Sequence, residues 1–258
     1  MENEIIQQRA YFIWKEDMLS SVMTLLETSS LQFSEFYYGG EDHPIDHLPT
    51  IVKIAGNRQH FSMVLEDVVS DRSRMTISKR NRVFSIFISS DWTSFEKYSI
   101  FYDEVIKSFD SLFICGNVYD YSFAKTQNET DVSNYELLIG KLPENTIYDN
   151  GVPFYIDISS NPGQEVELDA ILLSATWKFY CDESFLDFLG IDTSSQSTSR
   201  WQKRQLTDTI VMFQLYSNPF LSNDHLDELM GFKRFLNIPQ VANTHADSFG
   251  LWLSSRQI

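Results

Sequence analysis

The chain has 258 residues, with 36 acidic against 20 basic side chains and a formal charge of −16. Such a field favours basic partners and disfavours DNA, RNA and anionic membranes. Disordered acidic chains lack large apolar side chains, whereas 14% of these residues are aromatic and 20 are Phe, enough for a packed core in a single domain over 1–258.

No apolar run of about 18 residues occurs, so no hydrophobic spanning helix is expected. The start, Met1-Glu2-Asn3-Glu4, lacks the basic residues and apolar stretch of a signal peptide, and the expected location is the cytoplasm. Trp14, Met18, Val22, Leu25 and Leu26 recur at helical spacing and predict a helix over 14–27. Leu31 to Tyr38 alternates and predicts a short strand stopping at Gly39-Gly40. Glu41 to Pro49 reads as a polar loop, with a turn or two of helix over 46–55. The basic cluster of Arg72, Arg74, Lys79, Arg80 and Arg82 is read as pairing with the surplus carboxylates rather than as a nucleic-acid patch.

Residues 82–118 form the clearest unit. Val83 to Ile88 is an apolar run of strand type, and Asp91 to Ser94 is a turn. Thr93 with Glu96 fits a capping box. Phe95, Tyr98, Tyr102, Val105 and Phe109 mark one helical face, and Leu112 to Cys115 opens another strand. This β-α-β order permits parallel pairing. Residues 119–134 read as a polar loop or hairpin arm, and Tyr135–Gly140 and Pro153–Ile158 as strands. Ser159 to Gly163 is a turn, and Glu165 to Tyr180 a long strand or bent pair. Asp182 caps a short helix with Phe185, Leu186 and Leu189 on its core face, closed by Gly190 in a left-handed conformation. The small polar stretch 192–199 is the expected flexible loop. Leu206, Ile210 and Phe213 predict a helix over 200–217, and a second is expected from Asn223 through Phe235. Phe249 to Leu253 should dock on the body. These elements interleave without strict alternation. The expected fold is α+β, a mixed or mostly antiparallel sheet covered by helices, with a largely helical C-terminal part.

No motif names a reaction. Gly-x-Gly-x-x-Gly, Walker-type and Gly-x-Ser-x-Gly patterns do not occur, which counts against nucleotide enzymes and serine hydrolases. Cys115 and Cys181, 66 positions apart, read as buried thiols. His43 and His47 have the spacing of two ligands on one helical face. However, Pro44 biases His43 away from helical geometry, and no Glu follows the first His, so a solvated loop is expected. The adjacent acids Glu66-Asp67, Asp103-Glu104, Asp182-Glu183 and Asp227-Glu228 are read as solvated helix faces. No catalytic residue, metal or cofactor is expected.

Aromatic residues recur beside acids, at Glu35-Phe36-Tyr37-Tyr38, Asp91-Trp92, Tyr119-Asp120-Tyr121 and Tyr148-Asp149. Tyr and Trp supply interface anchors while carboxylates steer a basic partner. The expected partner site is Tyr37, Tyr38, Glu41 and Asp42, with Asp91 and Trp92 second. With its acidity, its plain start and these Tyr37-Tyr38-Gly39-Gly40-Glu41-Asp42 and Asp91-Trp92 elements, the chain resembles in build the immunity proteins of bacterial polymorphic toxin systems. That resemblance implies a bacterial protein of the cytoplasm that neutralises a cognate, basic toxin by binding it, without catalysis or cofactor and without contact to nucleic acid or membrane. Two alternatives stay open: an acidic DNA mimic, which needs carboxylates in ordered rows, and a metal-dependent hydrolase built on His43 and His47.

Overall fold

The computed structural model describes residues 4–70, 72–191, 200–238, 240–241 and 246–256. The predicted loop at 192–199 lies outside them. The chain opens with β1 (Ile5–Ile13), a strand the sequence conceals behind Gln7, Gln8 and Arg9. Next come α1 (Met18–Thr28) and β2 (Phe33–Tyr38). Gly39 and Gly40 then take positive φ of 68° and 97°. A two-residue hairpin turn of type I′ needs that conformation at both positions, and glycine supplies it without strain. The turn folds Glu41–Pro44 back as β3, with Tyr38 opposite Glu41, so the expected loop begins as a strand. After α2 (Leu48–Gly56) come β4 (Phe61–Asp67), β5 (Arg74–Arg80) and β6 (Val83–Asp91). Then follow α3 (Phe95–Ser108) and β7 (Phe113–Asp120).

Both β6 and β7 pair antiparallel with β1. They therefore run parallel to each other but are not neighbours; the N-terminal strand lies between them, so the parallel pairing that the β-α-β order permits does not form. The expected capping box does not form. Thr93 donates its hydroxyl proton to Asp91 Oδ1 at 2.6 Å, and Asp91 rather than Thr93 accepts from the Ser94 amide.

The segment expected to be a polar loop and a strand, 119–140, is helical beyond β7. α4 (Tyr121–Asn128) starts on the side chain of Asp120, and α5 (Val132–Ile139) on that of Asp131, ending at Gly140 with φ 82°. Each carboxylate satisfies a free backbone N–H of the first turn. β8 (Thr146–Asp149) and β9 (Val152–Ile156) form a separate hairpin across Asn150-Gly151, both at positive φ. A second small hairpin, β10 (Val166–Leu168) and β11 (Ile171–Leu173), precedes β12 (Lys178–Asp182) and α6 (Glu183–Phe188). Asp182 caps α6 and Gly190 follows at φ 72°, as the sequence predicts. Residues 202–214 are not a helix but β13 (Gln202–Gln205) and β14 (Ile210–Gln214), and the apolar run Ile210-Val211-Met212-Phe213 is a strand buried on both faces. α7 (Leu226–Phe235) and α8 (Ala246–Ser255) complete the chain, with Phe249 and Leu253 of the tail buried.

The main sheet is wholly antiparallel with strand order β13-β14-β12-β7-β1-β6-β5-β4-β2-β3. One face is covered by α1, α2 and α3. From α3, the Tyr102 hydroxyl donates to Arg9 O at 2.6 Å, so close to β7 that a Cβ at Gly116 would overlap it. The other face is covered over β1, β7, β12 and β14, with Gln7 and Tyr11 of β1 buried there and Arg9 paired with Glu165. There Phe179 and Phe213 pack on Phe232 of α7, and Asn117 Nδ2 donates to Leu172 O of β11. Burial follows this division: β7 is buried at almost every position, while β4 alternates buried with exposed or half-buried, as expected for a strand with one solvated face.

Candidate partner-binding surfaces

The open face carries one end of the predicted site. Strand register lines up Asp42, Tyr37, Val64, Thr76, Phe87 and Arg9 across β3, β2, β4, β5, β6 and β1. Tyr37 is 46% exposed at the edge of this row, and Glu41 and Asp42 are exposed beside it. A parallel row places Glu35 opposite Glu66, next to Arg74. Tyr38 does not join them. Successive strand side chains point to opposite faces, so Tyr38 is buried on the far side of the sheet from Tyr37, its ring under the Arg58 guanidinium at 5.5 Å. It is a core residue, not the anchor the sequence suggested. His43 stacks on Phe36 with ring centroids 5.3 Å apart, and its Nε2 lies 3.1 Å from the accepting Tyr38 carbonyl oxygen. His47 is exposed in a single turn of 3₁₀ helix. Among the described residues no three His, Cys, Asp or Glu side chains are arranged to hold a metal.

The second predicted cluster is elsewhere. Asp91 lies four positions along β6 from the Tyr37 row and two strands stand between β6 and β2. By ordinary strand spacing that is about 13 Å along and about 14 Å across the sheet. Its carboxylate is occupied: Ser70 Oγ donates to Oδ2 at 2.6 Å, and Thr93 and the Ser94 amide donate to Oδ1. Burial acts to raise the Asp91 carboxyl, but these hydrogen bonds together outweigh it and bring it to about 2. Asp91 closes a turn instead of offering a free charge. Trp92 is 41% exposed, its ring stacked on Phe95 at 5.3 Å and edged by Phe220 at 5.4 Å.

The acid pairs split rather than lying together on solvated faces. Asp67 is buried, accepting from the Tyr98 hydroxyl at 2.6 Å and from Lys97 Nζ at 2.7 Å, which ties α3 to β4. Asp182 is buried and accepts from Arg256 Nη1 at 2.7 Å. Of the basic cluster, Arg80 pairs with Glu167, while Lys79 sits over the Trp14 ring and Arg82 donates to Ser254. Cys115 and Cys181 are buried free thiols, and burial pushes both well up, so neither is a nucleophile at neutral pH. A cleft of about 630 Å3 lies between α1, α2 and the sheet, lined by Met23, Leu26, Phe33, Leu48, Val52 and Leu65.

The sequence reading missed the largest concentration of exposed apolar side chains. None of the eight residues of α5 is buried, and Leu137, Val152 and Phe154 stand 86%, 65% and 67% exposed. Asn150-Gly151 between two short apolar stretches is the available signal; Tyr148-Asp149 by itself reads only as one aromatic–acid pair among several.

No protein-family model and no curated protein matches the chain. Among solved structures, it is similar to a chain in the crystal structure of the toxic C-terminal tip of CdiA from Pseudomonas aeruginosa in complex with immune protein. The TM-score is 0.30 at 10% identity, over 46% of this chain and 86% of that one, a likeness too slight to carry a role across. No helix among the described residues is long and apolar enough to cross a membrane.

Proposed function

We propose that this chain is a non-catalytic binding protein that neutralises a basic bacterial toxin by direct contact, in the manner of an immunity protein. The observation that carries this reading is the surplus of carboxylates set around exposed aromatic side chains on an antiparallel sheet. Tyr37 with Asp42 at one sheet edge, beside Glu41 and the Glu35–Glu66 pair, is the clearest case. Carboxylates of this kind raise the rate at which a basic partner is encountered, and aromatic groups on fixed strands then hold it with little ordering cost. The reading needs no chemistry from the buried thiols, from the turn-closing Asp91 or from His43.

The test is to purify the chain with the product of the adjacent gene and follow complex formation at low and high salt. Rapid association that slows with salt, and slows further in the Glu41→Lys, Asp42→Lys variant, is the expected result. Absence of any complex at low salt would sink the reading.

A further inference from the structure

Of the eighteen large apolar side chains exposed among the described residues, eight fall between 137 and 155. Exposed apolar residues scattered singly need no explanation, but a contiguous patch marks an interaction site. The patch is contiguous by topology. α5 packs against β9, the β8–β9 register places Ile147 opposite Tyr155, and the Phe154 and Tyr155 rings meet edge-on at 5.7 Å. Leu137, Leu138 and Ile139 follow one another at the end of α5, so no single face of that helix could bury them against the body.

The base of this arm is fixed. Thr146 and Ile156 are buried. The Ile156 amide donates to Thr130 O and the Asp157 amide to Asn145 O, both at 3.0 Å, and Asn145 Nδ2 returns to Asp157 O at 2.6 Å. Just beyond, the buried Lys233 amine donates to Ser159 O, Asn161 O and Gln164 Oε1, each at 2.8 Å. An arm anchored at its base and apolar at its tip is preorganised, and binding through it need not order a loop.

Charge selects the occupant. Between 129 and 157 there are six carboxylates and one amine, Lys141. Glu136, Glu144 and Asp149 are exposed among the apolar groups. A second copy would bring acidic arm against acidic arm on chains of −16 each, and an anionic membrane would repel it. A basic protein with an apolar groove satisfies both the tip and its rim. We propose that α5 with the β8–β9 hairpin is the docking element for such a protein, supplying the anchors that the buried Tyr38 cannot. This rests on the reading under Proposed function and adds the surface to it.

The experiment compares three forms of the chain against the adjacent gene's product: wild type, Leu137→Ser with Phe154→Ser, and Tyr37→Ala. Thermal unfolding and size-exclusion chromatography with light scattering are run on each. The arm variant should melt with the wild type yet bind at least about 30-fold more weakly, through faster dissociation, because truncated anchors act on the off-rate. Tyr37→Ala should change affinity by less than the arm variant does. A complex whose affinity ignores the arm variant overturns the arm while leaving the neutralising function standing. A wild-type chain that forms no complex overturns that function and the arm assignment with it. Self-association lost in the arm variant would make the occupant a second copy and overturn the proposal.

Discussion

Helix α3 buries Phe95, Tyr98, Phe101, Tyr102, Val105 and Ile106, whereas α5, with Val132, Tyr135, Leu137, Leu138 and Ile139 among eight residues, buries nothing. The difference is spacing, not composition. The buried residues of α3 recur three or four apart and fall on one stripe, which the sheet covers. In α5 the last three apolar residues are consecutive and fan across about 200° of the helix at ~100° per residue. A sheet can cover one stripe; it cannot cover such a fan. Apolar content therefore builds core in one helix and an uncovered surface in the other.

The comparison breaks first at Phe95, whose ring bridges Trp92 and Trp177 at 5.3 and 6.0 Å. Phe95→Ala should lower stability by about 3–5 kcal/mol in denaturant unfolding. A loss under about 1 kcal/mol would mean that the α3 stripe is not a core face. Next comes the base of the arm. Lys233→Met leaves three oxygens without their donor and should destabilise by about 1–3 kcal/mol, with faster amide exchange at Ile156 and Asp157. Burial lowers the Lys233 amine from 10.5 to about 8. Between those values the unfolded chain binds more protons than the folded one, so this group's contribution to stability rises as pH increases from about 8 to 10.5. Wild type should show that rise in a pH series of melts, and Lys233→Met should lack it.

Elements that carry a clear period or a clear end signal were legible: α1, β2 with its glycine pair, the order β6-α3-β7, and α6 between Asp182 and Gly190. β1 was not, because Gln7, Gln8 and Arg9 break its apolar pattern and Arg9 finds its partners only in the folded chain. Arg9 pairs with Glu165 at 2.7 Å and lies over the Phe87 and Tyr119 rings, contacts between residues far apart in sequence. β14 was misread because Leu206, Ile210 and Phe213 happen to fit a helical stripe, while the apolar run between them serves a strand covered on both sides. At the site, a pair of adjacent tyrosines looked like one patch. Strand alternation divides them, leaving Tyr37 outside and Tyr38 within. The arm stayed hidden because Tyr135–Gly140 reads as a strand, whereas Asp131 and Gly140 bound a short helix.

Asp91 sharpens the comparison at the start of α3. Asp91→Ala removes the acceptor shared by Ser94 N, Thr93 and Ser70 and should cost about 1–2 kcal/mol, as loss of a helix-entry cap does. The carboxyl sits at about 2 against an ordinary 3.8. A depressed folded value gives stability that is fully present above the unfolded value and is lost as pH falls through the folded one. Wild type should therefore lose this contribution between about pH 4 and pH 2, and Asp91→Ala should show a shallower acid loss over that window.

The smallest expected effect is at the other pole of the comparison. Leu137→Ser or Phe154→Ser removes a large apolar side chain, yet each gives up little buried area, since both are mostly exposed in the free chain. The transfer energy that makes core truncations costly has not been gained there, so each change should shift stability by no more than about 0.5 kcal/mol. Denaturant melts of the two variants beside Phe95→Ala make the contrast quantitative: similar apolar deletions, with several kcal/mol at α3 and almost none at the arm. A loss above about 2 kcal/mol at Leu137 or Phe154 would show that the arm folds onto the body in solution. The fan of residues on α5 would then be core, and the contrast between the two helices would disappear.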